Sequence, residues 1–523
     1  MKHLFHIIII IIIALCSKAM SQQYSNHWIN YGSQYYKMQV VEEGIYRIDI
    51  SMLVSAGVPV TSLDPRNFQI FCRGREQYIY VKGENDGIFN PSDFIEFYAT
   101  KNDGTLDTGM YNFPSSQLNP YYSLINDTNA YFLTWNNSTS NRRLSLETDV
   151  DFSSYSPETW CVKPVLQLFT SQFSYGETTN GPWYNQSEGW FDYRFGKQSA
   201  GAPTSVTKTI LTPNPFTGGP STRISIALSG SSNAASSSSY NHHLGIDFLG
   251  ISYDTLYNGY KNISIEKNVN SLLLSSSFSM IFKIIDDQNA TTDLQQLSYI
   301  LVEYPHSFDF EGSDSFKFYI PDGPSGKSFL TIYNFDGGNS PVLYDLTNMK
   351  RMTVIESSGV YRTLVPNSGG DKTCYFVSEN NIHQVNNLHS VSYTDYSVYG
   401  FNSDYIIISH PKLWSSAQAY SSYRAATGFT PLLADINQLY DQFAYGINKH
   451  PEAIRRFIEY LAYTYDSVPK YLFIIGKSIH ANTTRNYPNY YALSLVPSYG
   501  FLSSDMLLTS GLGNTQFEPL VPT

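Results

Sequence analysis

Four cysteines and eleven histidines are the side chains of this 523-residue sequence best suited to nucleophilic or metal chemistry. Their surroundings decide what each can do. A thiolate nucleophile needs an imidazole to move its proton and backbone donors to hold the oxyanion. Cys374 lies in Thr373-Cys374-Tyr375-Phe376-Val377, an apolar strand-like run, and reads as a buried structural thiol. Cys16 falls in an N-terminal leader, leaving Cys72, Cys161 and Cys374 at spacings too wide and too few for a disulfide framework. The pair His242-His243 flanks a serine-rich loop at 229–239 and has no third ligand at metal spacing, which favours a loop or strand-edge role. His410 reads as structural and His480 as a surface-loop histidine. Asn85-Asp86-Gly87 and Asn102-Asp103-Gly104 are turn tripeptides, with glycine supplying positive φ, and neither has the spacing of a calcium loop.

The leader fixes the route of the protein. Lys2 and His3 precede an apolar run from Leu4 to Leu15, and Ala19-Met20-Ser21 offers small residues for cleavage, so residues 1–21 read as a signal peptide. The run is shorter than the ~20 residues of a membrane span. No later stretch is long and apolar enough, so the expected mature protein has no transmembrane segment and is secreted or held at the outer cell surface. A formal charge of −11 without a basic cluster argues against nucleic-acid binding. An aromatic content of 15%, with 43 tyrosines, suits half-buried β-strands.

Two patterns of elements must position the chemistry. Residues 22–150 carry alternating strands: two around Glu43-Gly44, a further pair at 67–71 and 77–81, and one at 93–98. Residues 151–400 continue with short strands at 223–228, 243–249, 300–304, 328–333 and 362–365. They are expected to form an antiparallel β-sandwich of one or two modules. From about 400 the pattern becomes β-α-β-α-β. Tyr405–Ser409 is a continuous apolar run typical of a buried parallel strand. Trp414–Ala426 reads as a helix stopped by Gly428, and 429–434 as a second strand. Residues 451–465 form an amphipathic helix with Ala453, Ile454, Phe457, Ile458 and Leu461 on one face and Glu452, Arg455 and Glu459 elsewhere. A third strand follows at 470–476. The expected class is therefore multidomain: antiparallel β-rich domains, then an α/β parallel-sheet domain over 401–523, with any site beyond the carboxyl ends of its strands.

That last third resembles the gingipain-type C25 cysteine peptidases. Asp404-Tyr405-Ile406-Ile407-Ile408-Ser409-His410-Pro411 is similar to their first strand, and Tyr423-Arg424 with Gly428 to their first helix and its exit. Residues 436–446 resemble the connecting segment, 450–457 the second helix and 471–476 the third strand. Val496-Pro497 and Ser503-Ser504-Asp505 resemble the loop leading to a late acidic position. In the front half, Gly44-Ile45-Tyr46-Arg47, Asn102 to Asp107, Tyr131 to Trp135 and Glu188-Gly189-Trp190 resemble large Bacteroidetes surface proteins, including the type IX secretion sortase-like group. One departure stands out: Lys477 follows Gly476 where the family usually has an acidic residue.

The resemblance implies a gingipain- or caspase-like α/β fold and a cysteine-type endopeptidase acting on proteins or peptides. Type IX secretion components are the implied partners, and no cofactor is required. The family's catalytic histidine and cysteine lie C-terminal to the matched stretch. Residues 401–523 are thus expected to be the N-terminal part of that domain, and these 523 residues to be inactive alone. Glu518 is the implied carboxylate that would orient the histidine, and Asp505 a candidate ligand for a structural calcium ion. A sortase-like transpeptidase is the alternative within the family. A non-catalytic β-sandwich protein for adhesion or carbohydrate binding is the alternative outside it.

Overall fold

The structure, a computed structural model, describes residues 24–177, 183–198, 203–338, 340–500 and 503–510. The expected signal peptide and Glu518 lie outside the described residues. No helix among those residues is long and apolar enough to cross a membrane.

Among the described residues there are seven sheets, and most of them are antiparallel. At the front, a five-stranded sheet centred on Tyr35–Val40 and Asn129–Trp135 faces a four-stranded sheet centred on Gly44–Asp49 and Phe94–Ala99. Alternation makes their common core: Met38, Ile48, Ile70, Phe97 and Leu133 are all essentially inaccessible. The strands on either side of Val41–Glu43 do not pair with each other; they enter different sheets. Gly44 explains part of this, because it does not make a left-handed turn. A Cβ there would lie 2.8 Å from the His383 ring, so glycine serves a close approach instead. Gly104 is similar. Its expected positive φ is not found, and a Cβ would lie 2.8 Å from the Asn119 carbonyl oxygen. Gly87, in contrast, has φ +76° as its turn requires.

The middle of the chain is organised by a ten-stranded sheet whose spine is the 14-residue strand Asp293–His306. One face of its first half packs on the sheet containing Ser205–Leu211, His242–Phe248, Ile251–Tyr257 and Ser277–Ile284, around Ile224, Ile246, Phe282 and Ile300. Its second half packs on the sheet built around Lys327–Phe335 and Val360–Pro366, with Phe310, Phe318, Leu330 and Phe376 between them. The result is two sandwiches sharing one sheet. Pairings tie these regions to the front: His389–Val391 joins Tyr35–Val40, and Ser145–Glu147 joins the ten-stranded sheet.

After residue 400 the architecture changes to a parallel sheet in the order Pro431–Asp435, Tyr405–Ser409, Tyr471–Ile475. Ile406, Ile407 and Ile408 are fully buried in its centre. Among the described residues Tyr471–Ile475 is an edge strand, and Tyr471 and Phe473 on it are about two-fifths exposed (41% and 40%). Helix Glu452–Thr464 buries Ala453, Ile454, Phe457, Ile458 and Leu461, as its periodicity predicts. Glu452, expected away from that face, is buried too, because the Gly109 turn of the front module covers the first helical turn. Arg455 and Arg456 each reach its carboxylate at 3.3 Å. This unit shares its core with the front: Leu106, Met110, Tyr111, Leu124, Trp183 and Trp190 join one apolar cluster with Ile406, Ile454 and Phe457.

Candidate functional site

The carboxyl ends of the three parallel strands lie side by side at Ser409, Asp435 and Ile475. Each end is fastened before the chain turns away. Ser409 Oγ donates to the Ile475 carbonyl at 3.4 Å, joining two strand ends directly. His410 caps the following turn, accepting the Lys412 N–H on Nδ1 at 3.1 Å. Asp435 caps helix Ile436–Phe443, accepting the Asn437 N–H at 2.9 Å. Burial nevertheless raises the pKa of the Asp435 carboxyl, against the lowering effect of that N–H. At Gly476 a Cβ would lie 2.8 Å from Val496, so the exit of the third strand needs glycine for close packing. The Lys477 carbonyl then accepts the Leu495 N–H at 2.7 Å.

Lysines dominate the charge of this rim. Lys412 and Lys477 stand in the segments that leave the strand ends, and Lys449 in the loop between helices Ile436–Phe443 and Glu452–Thr464. Lys449 is half-buried; its Nζ donates to the Tyr491 carbonyl at 2.6 Å and to the Ser494 carbonyl, and it lies 4.2 Å from the Tyr491 ring centroid. Burial, with Lys412 nearby, pushes its pKa down to about 8. Burial first, then Lys412 and Lys449, likewise lower the pKa of His410. Burial and the two neighbouring lysines thus favour the neutral form of His410. Sequence reasoning missed Lys449, since a lone lysine in Asn448-Lys449-His450 carries no pattern.

His480 precedes helix Ala481–Asn486, and Ser503 Oγ lies 3.4 Å from its Nε2. Asp505 is exposed and begins the turn Met506–Leu508, with Leu508 N–H bonded to its carbonyl oxygen at 3.0 Å. Among the described residues no group of three His, Cys, Asp or Glu side chains gathers anywhere to hold a metal. Among the described residues Asp505 therefore brings a single carboxylate to this turn.

The three described cysteines are free and buried. Burial pushes the Cys72 thiol up to about 11 and raises Cys161 and Cys374 further from the thiolate range. Cys374, fully buried in Lys372–Val377, belongs to the ten-stranded sheet rather than to the rim. Histidines 242 and 243 lie on strand His242–Phe248, not in the loop beside it. His242 is fully buried, with Nδ1 2.6 Å from Asp293 Oδ1, Nε2 2.9 Å from the Ser232 carbonyl and Tyr257 stacked on its ring. It is a satisfied core histidine.

Residues 399–521 match the family model for peptidase family C25. No curated protein matches the chain. Among solved structures, dimeric latent PorU from Porphyromonas gingivalis matches with a TM-score of 0.58 at 14% identity, over 90% of this chain. This chain spans 44% of the PorU chain. A CBM36-1 domain of a multidomain xylanase from the hindgut metagenome of Trinervitermes trinervoides matches at TM-score 0.17 and 12% identity, over 27% of this chain and 96% of its own. A score that low assigns neither fold nor ligand. The PorU likeness is one of fold: a β-rich, multidomain front followed by a parallel sheet.

Proposed function

We propose that the protein is a secreted or cell-surface cysteine-type endopeptidase of the C25 type. In this reading residues 24–400 form the scaffold, residues 404–510 supply the first three strands of the catalytic sheet, and none of the buried thiols Cys72, Cys161 and Cys374 is the nucleophile. The observation that carries the reading is the coincidence of the C25 match, at 399–521, with the parallel sheet and its rim of strand ends. Such ends are where sites form in open α/β sheets. The buried state of Cys72, Cys161 and Cys374 agrees with a nucleophile located elsewhere.

A second reading, a sortase-like transpeptidase of the type IX secretion group, is favoured by the front-half motifs and by a fold likeness that runs through the β-rich front. Both readings take protein or peptide substrates and require no cofactor. The test uses the full-length protein. Reductant-dependent cleavage of a peptide library, blocked by iodoacetamide, supports the endopeptidase. Transfer of the acyl fragment to added glycinamide in place of hydrolysis supports the transpeptidase. Neither product, with the thiols freely accessible, removes both and leaves a binding protein.

A further inference from the structure

Asn119 Nδ2, Trp190 Nε1 and Ser298 Oγ are buried and have no hydrogen-bond partner among the described residues. All three belong to residues lining one small cavity. It lies where the 104–125 turn of the front module, strand Glu188–Phe191 and the ten-stranded sheet come together. A buried polar group left unpaired is costly, so three around one space call for a common partner. Much of the remaining wall is apolar, with Leu118, Leu124 and Phe191 buried in it.

Local structure holds each of the three groups. Asn119 Oδ1 accepts the Tyr121 N–H at 3.0 Å, which fixes the amide and leaves its NH2 as the free end. The Trp190 ring is met edge-on by those of Phe173 and Tyr122, at 5.4 and 6.1 Å. Ser298 owes its place to a β-bulge. On the neighbouring strand Thr222–Gly230, Ala227 pairs with Tyr299 and the next residue, Leu228, pairs with Leu297, so Ser298 is skipped. Leu297 and Ile300 are both fully buried in the core between the sheets, which strict alternation would not permit. The extra residue allows it, and sets Ser298 and Tyr299 on the other side, against Leu118 and Phe191. Bulges re-aim side chains in this way, and here the side chain brought to the cavity is a hydroxyl.

We propose that this cavity binds one ordered water molecule, which accepts hydrogen bonds from Asn119 and Trp190 and shares a third with Ser298. Space and donor chemistry both select it. The room for a water centre is about 10 Å³, roughly what one molecule needs and too little for a larger ligand. Two N–H donors repel a metal cation, whereas water accepts from both and keeps protons to give. Three hydrogen bonds are the usual complement of a buried water. So placed, the water joins the front module to the ten-stranded sheet. The site is on the β-rich front, and its occupation is independent of the proposed peptidase chemistry.

The test combines electron density with a double-mutant cycle on the 22–523 chain. A crystal structure that resolves ordered solvent should show one peak within hydrogen-bond distance of all three atoms. Ser298→Ala removes one partner and little volume. With the water bound, it should raise the unfolding equilibrium constant in urea about fivefold. In a dry cavity the same change removes an unpaired hydroxyl, and is neutral or stabilising. Trp190→Phe removes the N–H together with some packing, so it is read in combination. With Ser298→Ala it should lose less than the sum of the two single losses, because both act on one molecule. An unchanged or higher urea midpoint for Ser298→Ala overturns the proposal. So do strictly additive losses, or a cavity without density.

Discussion

Asp107 and His450, 343 residues apart in sequence, meet at 3.1 Å with both side chains closed to solvent. His450 Nδ1 accepts the Glu452 N–H at 3.2 Å, so Nε2 carries the proton donated to Asp107 Oδ1. The other Asp107 oxygen accepts the Leu124 N–H at 2.5 Å, and Ser123 Oγ donates to the first at 3.2 Å. One carboxylate thus joins the 104–125 turn of the front module to the start of helix Glu452–Thr464. Asp107→Ala should leave the Leu124 N–H and the His450 Nε2–H buried without acceptors. A loss of about 3 kcal/mol or more is expected in urea unfolding. An unchanged midpoint would show that the contact is not formed in solution.

Glu188 predicts a pH effect of known sign. Burial pushes its pKa up to about 8, against an accepted hydrogen bond from the Asn185 N–H. The unfolded chain releases that proton near pH 4.5, so between pH 4.5 and 8 the folded state binds the extra proton. Stability contributed by this group is fully present below pH 4.5 and is lost as pH rises toward 8. Glu188→Gln should leave stability at pH 4 nearly unchanged and raise it at pH 8 by about 2–4 kcal/mol. Equal stabilisation at both pH values would assign the effect to packing rather than to charge.

Lys449 should be the most readily acylated lysine near neutrality, since its pKa of about 8 leaves more free amine there than an ordinary ammonium does. Competitive acetylation across pH 6–11, read by mass spectrometry, should place its midpoint well below those of exposed lysines such as Lys470. A midpoint among the exposed lysines would mean that the burial of Lys449 is transient.

The cysteines give a direct check on the nucleophile. Iodoacetamide applied to folded 22–523 should label none of Cys72, Cys161 and Cys374, and should label all three in guanidinium chloride. Rapid alkylation of Cys374 in the native protein would return it to consideration as a reactive thiol.

Local pattern carried much of the fold. The strand Tyr405–Ser409 and the helix Trp414–Ala426 were readable to the residue, because an unbroken apolar run and a glycine stop are local signals. Pairing was not readable. The two strands around Glu43-Gly44 look like a hairpin, yet each finds its partners far away in sequence, where no local signal reaches. The rim was legible in place but not in composition: the strand ends follow from topology, whereas the half-buried Lys449 depends on how it folds back over Tyr491. Asp107 was legible only as part of a turn, since its partner His450 stands just ahead of a helix 343 residues away.

The shared core leads to the last prediction. Leu106, Met110, Tyr111, Leu124, Trp183 and Trp190 cover the face of the α/β unit that Ile454, Phe457 and Leu461 present. Separation would expose that face on both pieces, and would strand the Asp107–His450 contact and the Arg485–Asp127 ion pair at 2.6 Å. The segment 404–523 expressed alone should therefore melt without a sharp transition, and residues 24–400 alone should lose cooperativity around 104–125 and 183–190 in hydrogen exchange. Co-expressed, the two pieces should purify as a complex with restored protection in those turns, because the apolar surface they bury together drives association. A sharp, reversible melt of 404–523 on its own would show that the unit has a sufficient core, and that the contact with the front module is incidental.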